Sequence, residues 1–368
     1  MTAPDQIDGA PHPRDTRTLF GQDAAQSSFL EAFATDRLHH AWLLTGPKGV
    51  GKATLAWSIA RFLLATPPVQ EDGLFGAPPA PTSLAIDPEH PVARRIAAGA
   101  EPGLKAITRT PNPTTDRMRD QIVVDDIRAL AGFFQLSAAD GGRRVVIVDA
   151  ADDMNTSAAN ALLKMLEEPP DGATLLLVSH RPSGLLPTIR SRCRTLRLSS
   201  LSAEDMASAF EQAEIEVGDD SGALAELSGG SVGTAIRLSS LDGLKTYATL
   251  ISLIQSLPQF DRSAALKLAE SAAARGAEAH RDLLFELIDL MLSRLARTGA
   301  TGLAPGIEAA PGEAAALARL APDQAAGRAW AHVAQETGAR VRHGIAVNLD
   351  PAALVLDTLI KISQTTPG

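Results

Sequence analysis

The chain has 368 residues, 45% of them hydrophobic and 21% charged, with a formal net charge of −9. That length exceeds one ordinary domain and sets two or three as the expectation, and the acidic balance argues against a broad nonspecific nucleic-acid surface while leaving room for a local basic patch. A single cysteine, Cys193, excludes an intrachain disulfide and a cysteine-cluster zinc site, and no run reaches the ~18 uninterrupted apolar residues of a membrane span.

The first sixteen residues, MTAPDQIDGAPHPRDT, are polar and acidic in balance, which suits neither a signal nor a transit peptide and makes the cytoplasm the expected location. A helix over Ala24–Phe33 then leads to a short apolar strand, Ala41–Leu44, a glycine-rich loop and a helix over Ala53–Leu64. Residues 66–83 carry five prolines and read as an exposed linker or insertion. Ile122–Val124 reads as a short strand start, followed by a helix from about Asp125 to Phe134. Four consecutive β-branched residues, Val145–Val148, end at Asp149 in the manner of a buried parallel strand. A helix over Thr156–Glu168 is stopped by Pro169-Pro170, and a second buried strand covers Thr174–Val178. Strands alternating with helices imply a parallel sheet covered on both faces.

After about residue 199 the strand signal stops. Two or three short helices are expected between Ser202 and Leu238, around Gly229-Gly230. Long amphipathic helices follow over Lys245–Ser256, Ser263–Ala273, Ala279–Arg297, Gln324–Gly344 and Pro351–Ser363, with a loop over 299–312. Apolar residues such as Leu283, Leu284, Leu287, Ile288, Leu290, Met291 and Leu295 recur at helical spacing.

The glycine-rich stretch is GPKGVGKAT, residues 46–54. In a phosphate loop, backbone N–H groups and a helix N-terminus surround the phosphates and a lysine reaches between them. Gly46, Gly49 and Gly51 allow the close approach and Lys52 supplies the charge. The pattern then requires Ser or Thr as a Mg²⁺ ligand, and Ala53 stands there. Thr54 lies about 100° further around the helix and does not replace it. Asp149 is placed to serve as the strand-end acid of the second motif, followed by Ala150. Asp152 and Asp153 fall on the wrong turn for a simple substitute.

A third constellation is Ser191-Arg192-Cys193. On spacing alone Arg192 reads equally as a guanidinium offered to another subunit's γ-phosphate or as one cation of a solvated edge, with Arg190 and Arg194, paired to a carboxylate of its own domain. Cys193 reads as a small buried hydrophobe. His39 and His40, adjacent on an extended segment, should point opposite ways and serve packing. Asp87, Glu89 and His90 read as a solvated turn.

Residues 149–193, DAADDMNTSAANALLKMLEEPPDGATLLLVSHRPSGLLPTIRSRC, closely resemble the bacterial clamp-loader ATPases of DNA polymerase III, above all in ANALLKMLEEPP and TIRSRC. The resemblance covers about residues 17–240. It implies an α/β fold: an AAA+ P-loop core with a parallel sheet over 17–198, a small helical lid over 199–240, and an all-α C-terminal collar domain over 241–368, preceded by a disordered tail over 1–16. Motor subunits of the family keep the loop hydroxyl, a glutamate after the strand-end Asp and a lid arginine; Ala53, Ala150 and Gly233 stand at those places here. Those departures resemble the delta-prime subunits rather than the gamma/tau motors. The resemblance implies a subunit without ATP hydrolysis of its own that offers Arg192 to a gamma/tau neighbour. Gamma/tau and delta subunits are its implied partners, and the sliding clamp and primed DNA are reached through the assembly. No cofactor is required on this reading. The retained Lys52 and glycines leave ATP or ADP binding without hydrolysis open, and the cysteine quartet that holds zinc in many relatives is replaced by the Pro-rich segment. Two other readings stay open: an active AAA+ ATPase using Thr54 and Asp152, and a nucleotide-binding scaffold outside replication.

Overall fold

Strand formation follows from the apolar runs. In the computed structural model, which describes residues 6–7, 9–35, 37–66, 81–135, 142–215 and 220–365, the buried runs become β1 (Ala41–Thr45), β3 (Arg144–Val148) and β4 (Ala173–Ser179). Two short strands, β2 (Leu104–Ile107) and β5 (Arg194–Arg197), complete a sheet of order β2-β3-β4-β1-β5. Every pairing is parallel, with Leu43 opposite Leu177 on one side and Thr195 on the other.

Side chains alternate across the sheet, so each strand feeds two cores. Trp42, Leu44, Val145, Ile147, Leu176 and Val178 face a core closed by α1 (Asp23–Ala34) and α2 (Lys52–Ala65), with Ile96 of α3 (Pro91–Ala97) at its margin. Leu43, Val146, Val148, Leu175 and Leu177 face the opposite core, closed by α4 (Val124–Gln135), α5 (Thr156–Glu167) and α6 (Pro187–Arg190). The helix–sheet–helix layering is the expected α/β arrangement. Neither edge strand is expected from the sequence. In β5 only Leu196 is buried, and in β2 only Ile107, so neither carries an apolar run. Ile122 corrects the strand expected over 122–124: it makes one isolated bridge to Met154, and helix α4 begins two residues later.

The segment expected as a disordered tail is, over its described residues, laid on α2. The Arg61 guanidinium donates to the carbonyls of Arg14 (3.0 Å) and Thr16 (3.3 Å), and the His12 ring meets Trp57 edge-on. The Pro-rich stretch lies outside the described residues over 67–80.

The chain divides into two compact units, one of Met1–Ile215 with Gly230–Thr234 and the other of Glu216–Gly229 with Ala235–Gly368. The stretch expected as a lid is therefore shared: α7 (Ala203–Gln212) belongs to the first unit, α8 (Ser221–Ser228) to the second, and α9 (Val232–Ser240) begins in the first. The rest of the second unit is helical: α10 (Gly243–Gln255), α11 (Arg262–Ala273), α12 (Glu278–Thr301), α13 (Glu313–Leu320), α14 (Gln324–Ala346) and α15 (Pro351–Gln364). Asp261, Asp323 and Asp350 cap α11, α14 and α15 by accepting backbone N–H bonds. Helix α12 runs through Gly299, inside the stretch expected as a loop. A Cβ there would sit 2.6 Å from the Cα of Gly327, so the glycine serves a close crossing of α12 and α14. Among the described residues no helix is long and apolar enough to cross a membrane.

One charged cluster lies inside the second unit. Arg294 and Glu313, 2% and 0% exposed, pair at 2.7 Å. Tyr247 donates to the same carboxylate oxygen at 2.6 Å, the Ala309 N–H donates to the other at 2.8 Å, and Glu226 meets Arg294 at 2.8 Å. Burial first, and then the bond to Glu313, push the Tyr247 hydroxyl far above its usual range. Removing one partner leaves the others buried and uncompensated, so Glu313→Ala is expected to destabilise this unit by about 3–5 kcal/mol in urea unfolding, far more than Glu308→Ala on the exposed surface.

Candidate functional site

The residues of the glycine-rich loop join the end of β1 to the start of α2. Gly51, with φ 98°, occupies the cap position of that helix, so no side chain competes for its first N–H groups. A Cβ on Gly46 would fall 2.3 Å from the Leu198 carbonyl, which makes glycine obligatory there. Lys52 is 3% exposed, and its ammonium donates to the loop's own carbonyls, Gly46 O at 2.8 Å and Pro47 O. Burial lowers the Lys52 ammonium to about 8, against the opposing pull of Asp149 and Asp152. Asp149 stands at the end of β3, where its N–H donates to Ile107 O. Thr54 is half-buried in the first turn of α2, past Ala53. The structure thus brings Gly46, Gly49, Gly51, Lys52 and Asp149 together.

Two features around the loop were not legible in the sequence. Ser231 Oγ donates to Lys48 O at 2.8 Å and the Gly233 N–H donates to Gly49 O at 3.1 Å, so the start of α9 is bonded onto the loop. A Cβ on Gly233 would lie 3.0 Å from the Gly49 Cα and 2.3 Å from Ile7. Any larger residue at 233, an arginine included, would have to displace the Ile7 side chain and shift the loop by a few tenths of an ångström. Leu19 adds cover, with its Cδ1 2.4 Å from where a Cβ of Gly51 would be.

The second feature is the fate of Asp152. It accepts from Ser179 Oγ at 2.8 Å, from the His180 N–H and from the Arg181 N–H at 3.3 Å, tying the turn after β3 to the end of β4. Asp153 pairs with Arg109 at 3.5 Å, and burial raises its carboxyl. Ala150 is itself buried. No carboxylate stands where a water-activating glutamate would follow Asp149, and the nearest candidate is already committed to backbone.

Arg192 lies apart from the loop's hydrogen bonds, just past α6. Its Nη2 pairs with Glu167 at 2.9 Å and its Nη1 donates to the Thr188 carbonyl at 2.9 Å, with 35% of the side chain exposed. Of the two readings open on spacing, the pairing within its own domain is what this chain shows. Cys193 packs among apolar neighbours, and burial pushes its thiol up to about 12, so it is no nucleophile. The orientation expected for the histidine pair is corrected: a bend at His40 breaks the extended alternation, and the two rings stack at 4.4 Å. His40 Nε2 bonds the Leu166 carbonyl and His39 Nδ1 the backbone of Ala41, which is packing work. Asp87 and His90 bond local N–H groups in an exposed turn that caps α3. No cluster able to hold a metal ion occurs among the described residues.

A family model described as DNA polymerase III, delta subunit, matches residues 21–202, which contain both the loop and Arg192. The DNA polymerase III subunit delta' of Pseudomonas aeruginosa is 37% identical over 236 residues, 63% of this chain and 65% of that protein. Over residues 21–202 the chain groups with the DNA polymerase III delta-prime subunits. The matched region spans a little under two thirds of that curated relative. The DNA polymerase III subunit tau of Escherichia coli is 28% identical over 301 residues, covering 76% of this chain and 43% of tau. A solved DNA polymerase III gamma subunit-related protein from Thermotoga maritima superposes with a TM-score of 0.43 at 19% identity, covering 92% of this chain and 100% of that one.

His180 gives this chain a pH signature. Burial, and then the neighbouring Lys52, lower its imidazole from 6.5 to about 4, and its Nδ1 is buried with no hydrogen-bond partner among the described residues. Between those values the unfolded chain binds the extra proton and the folded chain does not, so stability falls as pH drops from 6.5 toward 4. Urea unfolding at several pH values should show a steeper acid loss for the native chain than for His180→Asn; equal slopes would mean that His180 does not carry the effect.

Proposed function

We propose that this chain is the clamp-loader ring member that does not hydrolyse ATP and instead offers Arg192 to the nucleotide of a neighbouring gamma/tau subunit. The observation that carries the reading is the double absence at the catalytic end of the sheet. The Ala53 side chain supplies no oxygen for Mg²⁺, and behind Ala150 Asp152 is held by three donors and Asp153 is paired with Arg109. Activating a water through Asp152 would require breaking those bonds and loosening the end of β4, which disfavours an active ATPase built on Thr54 and Asp152. The closed loop points the same way: a triphosphate would have to take Lys52 from Gly46 O and Pro47 O and lift Ser231 and Gly233 from Lys48 and Gly49. Nucleotide binding is therefore weak on this reading, and neither zinc nor another cofactor is needed.

What remains chemically competent is the guanidinium. Phosphoryl transfer spreads negative charge over the γ-phosphate oxygens, and a permanently charged planar fork stabilises that charge best. An exposed ion pair such as Arg192–Glu167 contributes about 0–1 kcal/mol, so it opposes only weakly a phosphate that meets the other N–H groups of the same guanidinium. The helical second unit supplies collar contacts to gamma/tau and delta subunits on this reading. The cytoplasmic assembly then opens the sliding clamp and places it on primed DNA.

Two outcomes follow. The isolated chain should show no Mg²⁺-dependent ATP turnover, and turnover abolished by Lys52→Ala would overturn the inactive assignment. In a complex reconstituted with its gamma/tau and delta partners, Arg192→Ala should leave assembly on a sizing column unchanged while lowering ATPase and clamp loading; unaltered rates would remove Arg192 from this role.

A further inference from the structure

Glu167 is the last residue of α5, and its placement is unusual for a helix end. The C-terminal turn of a helix carries the negative end of the helix dipole, where a carboxylate is disfavoured and a cation is preferred. The helix stops there because Glu168 precedes Pro169, and a residue before proline is pushed out of the helical region; Glu168 adopts φ −126°, ψ 73°. That stop fixes the position from which the Glu167 side chain departs. Its Oε1 meets Arg192 Nη2 at 2.9 Å, while Nη1 of the same guanidinium donates to the Thr188 carbonyl of α6 at 2.9 Å. Arg192 is thus gripped at two points, by two elements that pack on each other across the core beneath. Of the five N–H groups of an arginine, one donates to Thr188, and a second nitrogen makes the ion pair with Glu167. The other three make no hydrogen bond among the described residues, and the side chain is 35% exposed.

Resting on the reading of Arg192 given above, we propose that Glu167 is the positioning residue of the trans-acting arginine: with the Thr188 carbonyl it holds the guanidinium plane in one orientation before a neighbour docks. A long arginine side chain is otherwise distributed over many rotamers, and selecting one of them is an entropic cost that would fall on reaching the transition state. A carboxylate at a disfavoured helix end meets that cost in the free subunit. Glu167 never touches the nucleotide and acts only through Arg192.

The test uses the reconstituted complex and steady-state ATP turnover. Glu167→Ala should lower kcat about two- to fivefold with KM for ATP little changed, since only the transition-state contact is affected. Glu167→Gln, which keeps the shape and a carbonyl acceptor, should recover part of the loss. The double variant with Arg192→Ala should be no slower than Arg192→Ala alone, because the two residues act as one unit. Glu168→Ala removes the same charge one position on, without touching Arg192, and should leave turnover as it was. Thermal melts of the isolated variants report whether each has folded. If Arg192→Ala is slow and both Glu167 variants match the native rate, the positioning role is overturned while the arginine's own role stands. It is equally overturned if Glu168→Ala reproduces the loss, if the double variant is slower than Arg192→Ala, or if Glu167→Ala speeds turnover. An unaltered Arg192→Ala would instead take away the reading on which it rests.

Discussion

Parallel pairing of β1 between β4 and β5 is the constraint on which the rest of the first unit depends. A parallel sheet buried on both faces sends every strand end to the same edge, and loops leaving that edge converge. The glycine-rich loop after β1, Asp149 after β3, and Ser179 and His180 at the end of β4 meet there for that reason. Arg192 precedes β5 and so enters the sheet from the opposite end, which is why it makes none of its hydrogen bonds with the loop. One topological choice separates the phosphate-type site from the exposed cation.

The loop edge has been rebuilt around internal bonds. Lys52 turns to its own loop carbonyls, Asp152 to the N–H groups after β4, and Gly233 to Gly49. Each of these groups is polar and partly or fully removed from water, so each requires a partner, and the chain supplies it. The position at 233 shows the coupling most directly. It lacks an arginine, and the backbone approach that the glycine permits is what keeps the loop covered.

Legibility followed burial. The runs in β1, β3 and β4 were readable because they are mostly buried and apolar, and α5 because Pro169-Pro170 marks its end. The edge strands β2 and β5 were not readable, because a four-residue strand with one buried side chain carries no periodic signal. The division of residues 199–240 between the two units was equally hidden. It depends on which neighbours Ser231 and Gly233 bond, and those lie about 180 positions away in sequence. For the candidate site, the loop glycines, Lys52, Asp149 and Arg192 were named from the sequence; Glu167, His180, Ser231 and the bonds of Asp152 were not.

By itself the sequence determined the parallel α/β core and the places where side-chain oxygens are missing, because the side chains of Ala53 and Ala150 carry none in any conformation. Only the tertiary structure decided what became of the groups that remain. Whether Lys52 faces outward or into its own loop, whether Asp152 is free or bonded, and whether Arg192 is loose or gripped by Glu167 depends on atoms brought together from distant parts of the chain. Those answers are geometric, since a hydrogen bond exists only within a few tenths of an ångström and a favourable angle.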